Sequence, residues 1–248
     1  MMSQRSVRLK FLGEKSSVRS ILILSTLFLM LALAFTACNK KTASQDYDNA
    51  NDEEAALDAK VKKGIKPVAD AEVAVIDAGD YGKIVIELYP NIAPQMVARF
   101  KQLIKEGFYN GTTFHRVNPE LGIIQGGDPL SRDNNPNNDG TGDSQYPNVP
   151  GEMSDIPYER GIVGAARKGA SPMPGGGMTE TQARDTANCQ FFITLKRVPD
   201  FDRNYTVFGR VIEGIKNAEI IAGAPVDAGS ERPNPKIVIK SITLQPHP

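Results

Sequence analysis

The chain has 248 residues, of which 40% are hydrophobic, and it carries 29 basic and 29 acidic residues. This length allows one domain of ordinary size with extensions, or two small domains, and the apolar share is enough to build a core. The formal net charge of zero gives no indication of a polyanionic partner such as a nucleic acid.

The N-terminus has the features of an export signal. A basic region that ends at Arg19 precedes Ile21–Ala37, a run of 17 residues without a charge. A membrane-spanning helix needs about 20 apolar residues, so this run is marginal for one. Its length fits the apolar region of a signal peptide. We therefore predict a signal peptide at residues 1–37, with an uncleaved anchor helix as the alternative.

The apolar run ends in Phe-Thr-Ala-Cys, which resembles the lipobox of bacterial lipoproteins. The resemblance implies cleavage before Cys38 and attachment of lipid to its thiol and its new amino group. Phe35 occupies the position where leucine is commonest. Three acyl chains exceed the two hydrophobic signals that stable anchoring requires. We expect a protein that is anchored by lipid in the bacterial cell envelope, with its domain outside the cytoplasm, either periplasmic or facing the surface.

Removal of the signal changes the charge and the cysteine count. Residues 1–37 hold five basic residues and one acidic residue, which leaves 24 basic and 28 acidic residues and a net charge of −4. A mildly acidic protein is a poor nucleic-acid binder. With Cys38 acylated, only Cys189 remains, so an intramolecular disulfide is not expected. We interpret Cys189 as a packing residue.

Residues 38–70 are polar and charged with weak apolar periodicity, which predicts a flexible tether with one short helical turn near residues 53–63. The globular domain is predicted at residues 71–246. It begins with a β-hairpin, because two alternating segments rich in valine and isoleucine flank Gly-Asp-Tyr-Gly.

A helix is predicted next. Asn91 is expected to cap its start, Pro94 lies in the tolerated first turn, and Gly107 is expected to end it. The apolar residues of one helical face are Ile92, Met96, Val97, Phe100, Leu103 and Ile104.

The rest of the domain alternates between short strands and long loops. Many short strands, two helices and long loops favour an antiparallel barrel or sandwich whose openings the helices cover. The segments are a strand at 112–117, a loop at 129–160, a strand at 161–167, a loop at 168–188, strands at 189–195 and 205–212, a second helix at 213–224 and a last strand at 236–245.

Four segments in this order and spacing resemble the cyclophilins, the peptidyl-prolyl cis–trans isomerases: FHRVNPELGIIQGGD, GIVGAAR, CQFFITL and DFDRNYTVFGRVIEG. The likeness covers about Ala71 to Leu244 and is closer to the bacterial branch, because Tyr205 precedes TVFG. It implies a mainly β fold, a closed eight-stranded antiparallel barrel capped by two helices, with a substrate groove on its outer surface. It also implies that proline-containing polypeptides are the substrates, that no metal or cofactor is needed, and that the protein is a monomer.

The resemblance also implies roles for individual residues. The catalytic arginine of the family falls on Arg116. The apolar proline pocket would be formed by Phe114, Ile123, Phe192 and Phe201. Further groove positions fall on Gln125, Ala166, Arg167, Gln190 and Tyr205, of which Arg167 would meet the peptide through its backbone.

Strand alternation adds predictions about faces. Gln190 and Phe192 should point to one face and Phe191 to the other. Phe114 and Arg116 should likewise share a face, while His115 points away and makes a structural hydrogen bond. Gly126 and Gly127 are expected to serve backbone geometry.

The chain departs from the family pattern around the groove. The segment between Arg116 and Gln125 has one extra residue, and Leu121–Gly122 stand where the family carries an aromatic residue. Asp200 replaces a wall tryptophan, which implies weak cyclosporin binding. The loop at 168–188 is longer than usual and is expected to rim the groove.

These residues suit a reaction without covalent change. Rotation about the peptide bond faces a barrier of about 18–20 kcal/mol from amide resonance. A catalyst needs only to bind the twisted amide more tightly than the planar one. We expect an isomerase that assists the folding of exported proteins. The alternatives are a proline-peptide binding or chaperone module with little catalysis, and a structural envelope lipoprotein.

Overall fold

The computed structural model describes residues 55–171, 177–228 and 230–248. Most of these residues belong to one compact unit, Ala56–Pro248. The predicted signal peptide, Cys38 and most of the predicted tether lie outside the described residues. None of the helices in the described ranges is long and apolar enough to cross a membrane.

An antiparallel sheet of eight strands dominates the fold. The strands are β1 (Glu72–Asp77), β2 (Lys83–Leu88), β3 (Thr113–Phe114), β4 (Arg116–Asn118), β5 (Ile123–Gly126), β6 (Ile162–Ala165), β7 (Phe191–Thr194), β8 (Val207–Glu213), β9 (Ile237–Val238) and β10 (Ser241–Pro246). The order in the sheet is β10-β1-β2-β8-β6-β7-β5-β4, and β3 pairs separately with β9. The mainly β, antiparallel prediction is confirmed. The predicted closure of the barrel is not confirmed, because no strand pairing in the described ranges joins the two end strands, β10 and β4.

The predicted hairpin is confirmed as β1 and β2, which pair from Val73–Glu87 to Asp77–Lys83. A short 3₁₀ turn at Gly79–Tyr81 joins them. Ala74 and Ile76 on β1 are completely buried, as are Ile84 and Ile86 on β2. The alternating apolar residues therefore face one core.

After a helical stretch at residues 55–59, three helices are described: α1 (Pro94–Lys105), α2 (Glu180–Arg184) and α3 (Ile215–Ala222). Helices α1 and α3 confirm the two predicted helices, and α2 lies inside the predicted loop at 168–188. Gly107, which follows the last turn of α1 and has a φ of +68°, terminates the helix as predicted. The backbone N–H groups of Gly107 and Phe108 return to the carbonyls of Ile104 and Leu103 at 3.0 and 2.9 Å.

The predicted start of α1 is wrong in one detail. The helix is preceded by Ala93, and Asn91 does not cap it. The Asn91 side chain instead accepts a hydrogen bond from the Val68 N–H at 2.9 Å and donates one to the Lys66 carbonyl at 2.9 Å. The carboxylate of Glu152, 56 residues away from Met96, accepts from the first helical N–H groups. A tertiary contact thus replaces the local cap and complements the helix dipole.

The structured domain begins earlier than residue 71. Residues 55–59 are helical, and Leu57 and Val61 are buried with exposures of 9% and 7%. Lys62 then forms a parallel bridge with Ser154. The Lys101 ammonium pairs with Asp70 at 2.9 Å. Two buried apolar side chains in an otherwise polar segment hold residues 56–70 against the domain. The prediction of a flexible tether is therefore wrong for this stretch.

The buried apolar residues form two clusters on opposite faces of β7. The inner cluster holds the rings of Phe100, Tyr109, Phe191 and Phe208, with Phe100 between 5.2 and 5.6 Å from the other three. The outer cluster contains Phe192 and Tyr158. The predicted alternation of Phe191 and Phe192 is confirmed, and it places Phe191 in the inner cluster and Phe192 in the outer one.

Candidate active site

A row of cross-strand partners places Arg116 beside an aromatic surface. Arg116 on β4 is the register partner of Gln125 on β5, and Gln125 is the partner of Phe192 on β7. Phe192 in turn lies opposite Gly164 on β6. The sheet therefore brings residues from four strands into one line, with a cationic donor at one end and an apolar ring two strands away.

Hydrogen bonds fix the polar half of this row. Arg116 Nη1 donates to Gln125 Oε1 at 3.4 Å, and Gln125 Nε2 donates to Gln190 Oε1 at 3.0 Å. Gln190 is buried, and its Nε2 donates to the carbonyls of Gly140 and Gly142 at 3.1 and 2.9 Å. This chain of amides anchors the guanidinium to the backbone of a loop, which favours one orientation of the Arg116 side chain.

The apolar half of the row is a cluster of four rings. The Phe192 ring centroid lies 5.6 Å from Tyr158, 5.3 Å from Phe201 and 5.4 Å from Tyr205. Gly164 makes this arrangement possible, because a Cβ atom at that position would lie 2.7 Å from the Tyr158 hydroxyl and would collide with the Phe192 ring. The offset and edge-on contacts are those that aromatic rings prefer.

Arg167 supports the cluster from its edge. Its side chain is only 7% exposed, and its guanidinium carbon lies 4.6 Å from the centre of the Tyr205 ring. It donates to the Asn204 carbonyl at 3.0 Å and to the Glu180 carboxylate of α2 at 2.5 Å. Helix α2 thus connects the loop at 168–188 to the aromatic wall.

Two cavities adjoin the row, and both are lined by Gln125, Gly140 and Arg167. One has a volume of about 370 Å³, and Lys168, Gly169, Thr186 and Asn188 contribute to it from the long loop. This agrees with the prediction that the loop rims the groove. The other has a volume of about 840 Å³ and is bordered by Arg116 and the loop between α3 and β9.

The structure brings most of the predicted residues together. Besides Arg116, the residues that meet around the row or its cavities are Ile123, Gln125, Ala166, Arg167, Gln190, Phe192, Phe201 and Tyr205.

Phe114 is the exception, and its assignment to the groove wall is wrong. It is completely buried in the inner cluster, 6.3 Å from the Phe191 ring. The strand is interrupted at His115: β3 pairs with β9, whereas β4 pairs with β5. Alternation therefore does not continue from Phe114 to Arg116, and the two side chains do not share a face.

His115 is enclosed beside this break. It is 6% exposed, and neither ring nitrogen has a hydrogen-bond partner of ordinary geometry among the described residues. The predicted structural hydrogen bond is reduced to an interaction with the Thr113 backbone. Burial lowers the pKa of His115, while the nearby carboxylates of Asp128 and Asp139 oppose that shift. We infer an imidazole that is neutral at neutral pH.

The two glycines after Gln125 confirm their predicted backbone role. A Cβ atom on Gly126 would lie 3.0 Å from the Thr113 carbonyl oxygen. Gly127 has a φ of +91°, and a Cβ atom there would lie 3.0 Å from the Cys189 carbonyl oxygen.

Cys189 confirms its interpretation as a packing residue. It is completely buried in the inner cluster, and burial raises the pKa of its thiol to about 12. Such a thiol is not ionised at neutral pH and is not a nucleophile. In the described ranges, no group of three or more histidine, cysteine, aspartate or glutamate residues is arranged to hold a metal ion.

Sequence reasoning missed three contributors to the site. Tyr158 lies in a polar loop whose composition gave no sign of a buried ring. Glu231, in the loop before β9, pairs with Arg116 Nε, and no local pattern connects residues 115 positions apart. Leu121 packs on the outer cluster. It is therefore the side chain that the segment with one extra residue contributes to the apolar proline pocket. Gly122 cannot take that role, because its φ is +82° and a Cβ atom there would collide with Lys196.

Comparisons with known proteins identify the family to which this chain is similar. The family described as cyclophilin type peptidyl-prolyl cis–trans isomerase/CLD matches residues 73–244. A probable peptidyl-prolyl cis–trans isomerase of Brucella suis is 37% identical over 178 residues, which cover 70% of this chain and 83% of the relative. Peptidyl-prolyl cis–trans isomerase ppi1 of Schizosaccharomyces pombe is 34% identical over 66% of this chain and 94% of its own length.

Solved structures show the same fold. A Cryptosporidium parvum cyclophilin type isomerase, crystallised in the presence of the dipeptide Ala-Pro, is 28% identical with a TM-score of 0.58. The match covers 71% of this chain and 99% of that one. With the family match over residues 73–244 and the relatives above, this chain belongs to the cyclophilin-type peptidyl-prolyl cis–trans isomerases.

Proposed function

We propose that Arg116 and the outer aromatic cluster are the catalytic centre of this isomerase. The observation that carries the proposal is the row Arg116–Gln125–Phe192, in which a fixed cationic donor stands beside an apolar wall. The wall, formed by Phe192 with Ile123, Phe201, Tyr205 and Leu121, holds the proline ring of the substrate.

The chemistry follows from the amide bond. In the planar amide the nitrogen lone pair is delocalised, and in the twisted state it returns to nitrogen as a hydrogen-bond acceptor. A guanidinium that donates there stabilises the twisted state more than the planar one, which is the condition for catalysis. Arginine suits this role because it is always charged and its donors are held in a rigid plane. No nucleophile or general base takes part, because no bond is made or broken.

The apolar wall supplies a second part of the effect. When the wall holds the proline ring still, only the acyl side of the peptide bond rotates. The binding energy then promotes the movement of one group. Gln125 sits between ring and donor and orients Arg116 through its 3.4 Å contact. We propose that the isomerase acts as a monomer, because every residue assigned to the site comes from one chain.

We also propose that the protein works in the cell envelope on exported polypeptides. Support comes from the basic region and the apolar run that ends before Cys38. The Cys38 lipid would anchor the chain, and residues 39–54 would connect the anchor to the domain.

Two measurements test these proposals. NMR exchange spectroscopy on an Ala-Pro peptide, with catalytic amounts of the full chain, should show cis–trans exchange far above the uncatalysed rate of one event in tens to hundreds of seconds. Peptide binding without added exchange would instead support the binding-module alternative. For the anchor, labelling of producing bacteria with radioactive palmitate should mark the wild type and Cys189→Ala but not Cys38→Ser. Labelling of Cys38→Ser would overturn the lipid-anchor proposal.

A further inference from the structure

The loop between α3 and β9 reaches back to β4 through one residue, Glu231. Its carboxylate pairs with Arg116 Nε and accepts a hydrogen bond from Asn118 Nδ2. Its backbone carbonyl accepts from the Val117 N–H at 2.7 Å. Glu231 thus contacts three consecutive residues of β4, and its carboxylate bridges the two outer ones.

The loop that carries Glu231 is itself braced. Val226 and Pro233 form an antiparallel bridge, and the Asp227 N–H donates to the Arg232 carbonyl at 2.9 Å. The Arg232 guanidinium, 18% exposed, pairs with Asp139 at 2.8 Å and with Asp227 at 2.9 Å. The loop that carries Glu231 is therefore held together at both ends of its turn. The ion pair with Asp139 also attaches it to a second loop.

The two contacts to Arg116 lie at different points of its guanidinium. Glu231 engages Nε, whereas Gln125 engages Nη1. Two contacts at separate points fix the plane of the group, which one contact does not. Arginine has five N–H donors, so this arrangement leaves the remaining donors to a substrate.

We propose that Glu231 is a positioning residue, which holds the Arg116 guanidinium in the orientation that catalysis requires. This rests on the proposed catalytic role of Arg116. The pairing acts through geometry rather than through ion-pair strength. Both side chains are 39% exposed, and pairs in such surroundings contribute only about 0–1 kcal/mol. An orientation error at a reacting group is more costly, since a misplacement of about 1 Å can reduce rates 10²-fold.

The sign of the change in activity when Glu231 is removed distinguishes positioning from the opposite role. If Glu231 were an inhibitory clamp that competes with substrate for Arg116, its removal would raise activity. The carboxylate lies on Nε and leaves the Nη side toward Gln125 and the aromatic row, so positioning predicts that its removal lowers activity.

The test compares Glu231→Ala and Glu231→Gln with the wild-type full chain, by NMR exchange on an Ala-Pro peptide at varied peptide concentration. We expect Glu231→Ala to lower kcat about tenfold or more while the peptide Kd changes less than about threefold. Glu231→Gln should keep an intermediate kcat, because its carboxamide oxygen still accepts from Nε. An unchanged or raised kcat in Glu231→Ala would overturn the inference.

Two readouts separate positioning from a structural role. The ¹⁵N–¹H resonance of Arg116 Nε should exchange slowly with water in the wild type and rapidly in Glu231→Ala. In the double variant Arg116→Ala/Glu231→Ala, kcat should be no lower than in Arg116→Ala alone, because a residue that acts through Arg116 has nothing left to position. An additional loss in the double variant, with an unchanged melting temperature, would show an independent role and overturn the inference.

Glu213→Ala is the matched control, since Glu213 is an exposed glutamate at the end of β8, and its kcat should equal that of the wild type. A wild-type chain without activity would contradict the proposed function and the inference with it. An active wild type, an inactive Arg116→Ala and an unchanged Glu231→Ala would contradict the inference alone.

Discussion

Arg116 and Phe192 lie on either side of a single residue, Gln125, which is the register partner of both. The charged donor and the apolar wall are thus held by the same sheet that builds the core. Because neighbouring strands are separated by about 4.8 Å, the Cα atoms of Arg116 and Phe192 are about 10 Å apart across the row. Cross-strand partners share a face of the sheet, so the side chains of Arg116 and Phe192 can both meet one proline residue bound on that face.

The packing of Phe192 on Gly164 gives a first prediction. In Gly164→Ala the new Cβ would collide with the Phe192 ring, so the ring must move toward the groove. Overpacking of this kind costs about 1–3 kcal/mol of unfolding free energy. We also expect kcat/KM for an Ala-Pro peptide to fall about tenfold. Urea unfolding and the exchange assay would measure the two effects.

The control for that change is Gly223→Ala, at the end of α3. A Cβ atom there would meet its nearest neighbour at 3.6 Å, an ordinary contact. Stability and kcat/KM should stay near the wild-type values. A Gly164→Ala protein with wild-type activity would show that the position of the Phe192 ring does not matter for catalysis.

The segment at residues 55–70 gives a second prediction. A chain that starts at residue 71 loses the burial of Leu57 and Val61 and should be less stable than one that starts at residue 55, by about 2–4 kcal/mol. In the longer chain, Leu57→Ala should cost about 2 kcal/mol. Exposed Lys60 on the same segment provides the control, and Lys60→Ala should be neutral. Equal urea midpoints for the two chains would mean that residues 55–70 do not stabilise the domain.

The two histidines of the chain predict opposite responses of stability to pH. Burial lowers the pKa of His115 in the folded protein. The unfolded chain then binds the proton first, so stability should fall as the pH drops below about 6.5. A hydrogen bond with Glu87 raises the pKa of His247, so its contribution is present below about pH 6.5 and is lost as the pH rises through the folded pKa.

The measurement is the change in urea midpoint between about pH 5.5 and about pH 7.5, a range that spans the ordinary histidine pKa. His115→Gln should lose less stability on acidification than the wild type, and His247→Gln should lose more. Comparing slopes removes any constant effect of each substitution. If His115→Gln loses stability as steeply as the wild type, His115 is not the buried neutral group described above.

Much of the fold was predictable because its signals are local. Valine–isoleucine alternation identified the β1–β2 hairpin, and the apolar face with its terminal glycine identified α1. What the sequence could not provide were contacts between distant segments. The carboxylate that caps α1 comes from Glu152, and the break at His115 depends on which strands pair on each side of it.

The residues of the candidate site were predictable to a similar extent as the fold. Arg116, Gln125 and Phe192 were identified by motif and meet in one row. Phe114 was assigned to the wrong face because alternation was continued through a strand that breaks. Glu231 and Tyr158 come from loops without periodicity, and only the folded chain places them beside Arg116 and Phe192.

We propose above all that Arg116 catalyses rotation of the Xaa-Pro bond. The most direct test is NMR exchange spectroscopy on an Ala-Pro peptide with wild type, Arg116→Ala and Arg210→Ala, the last being an exposed arginine on β8. Removing one preorganised donor costs about 10²–10³ in rate, so Arg116→Ala should lose that much in kcat/KM. It should keep the wild-type melting temperature, and Arg210→Ala should retain full activity. An Arg116→Ala protein that is folded and exchanges the peptide at the wild-type rate would contradict the account.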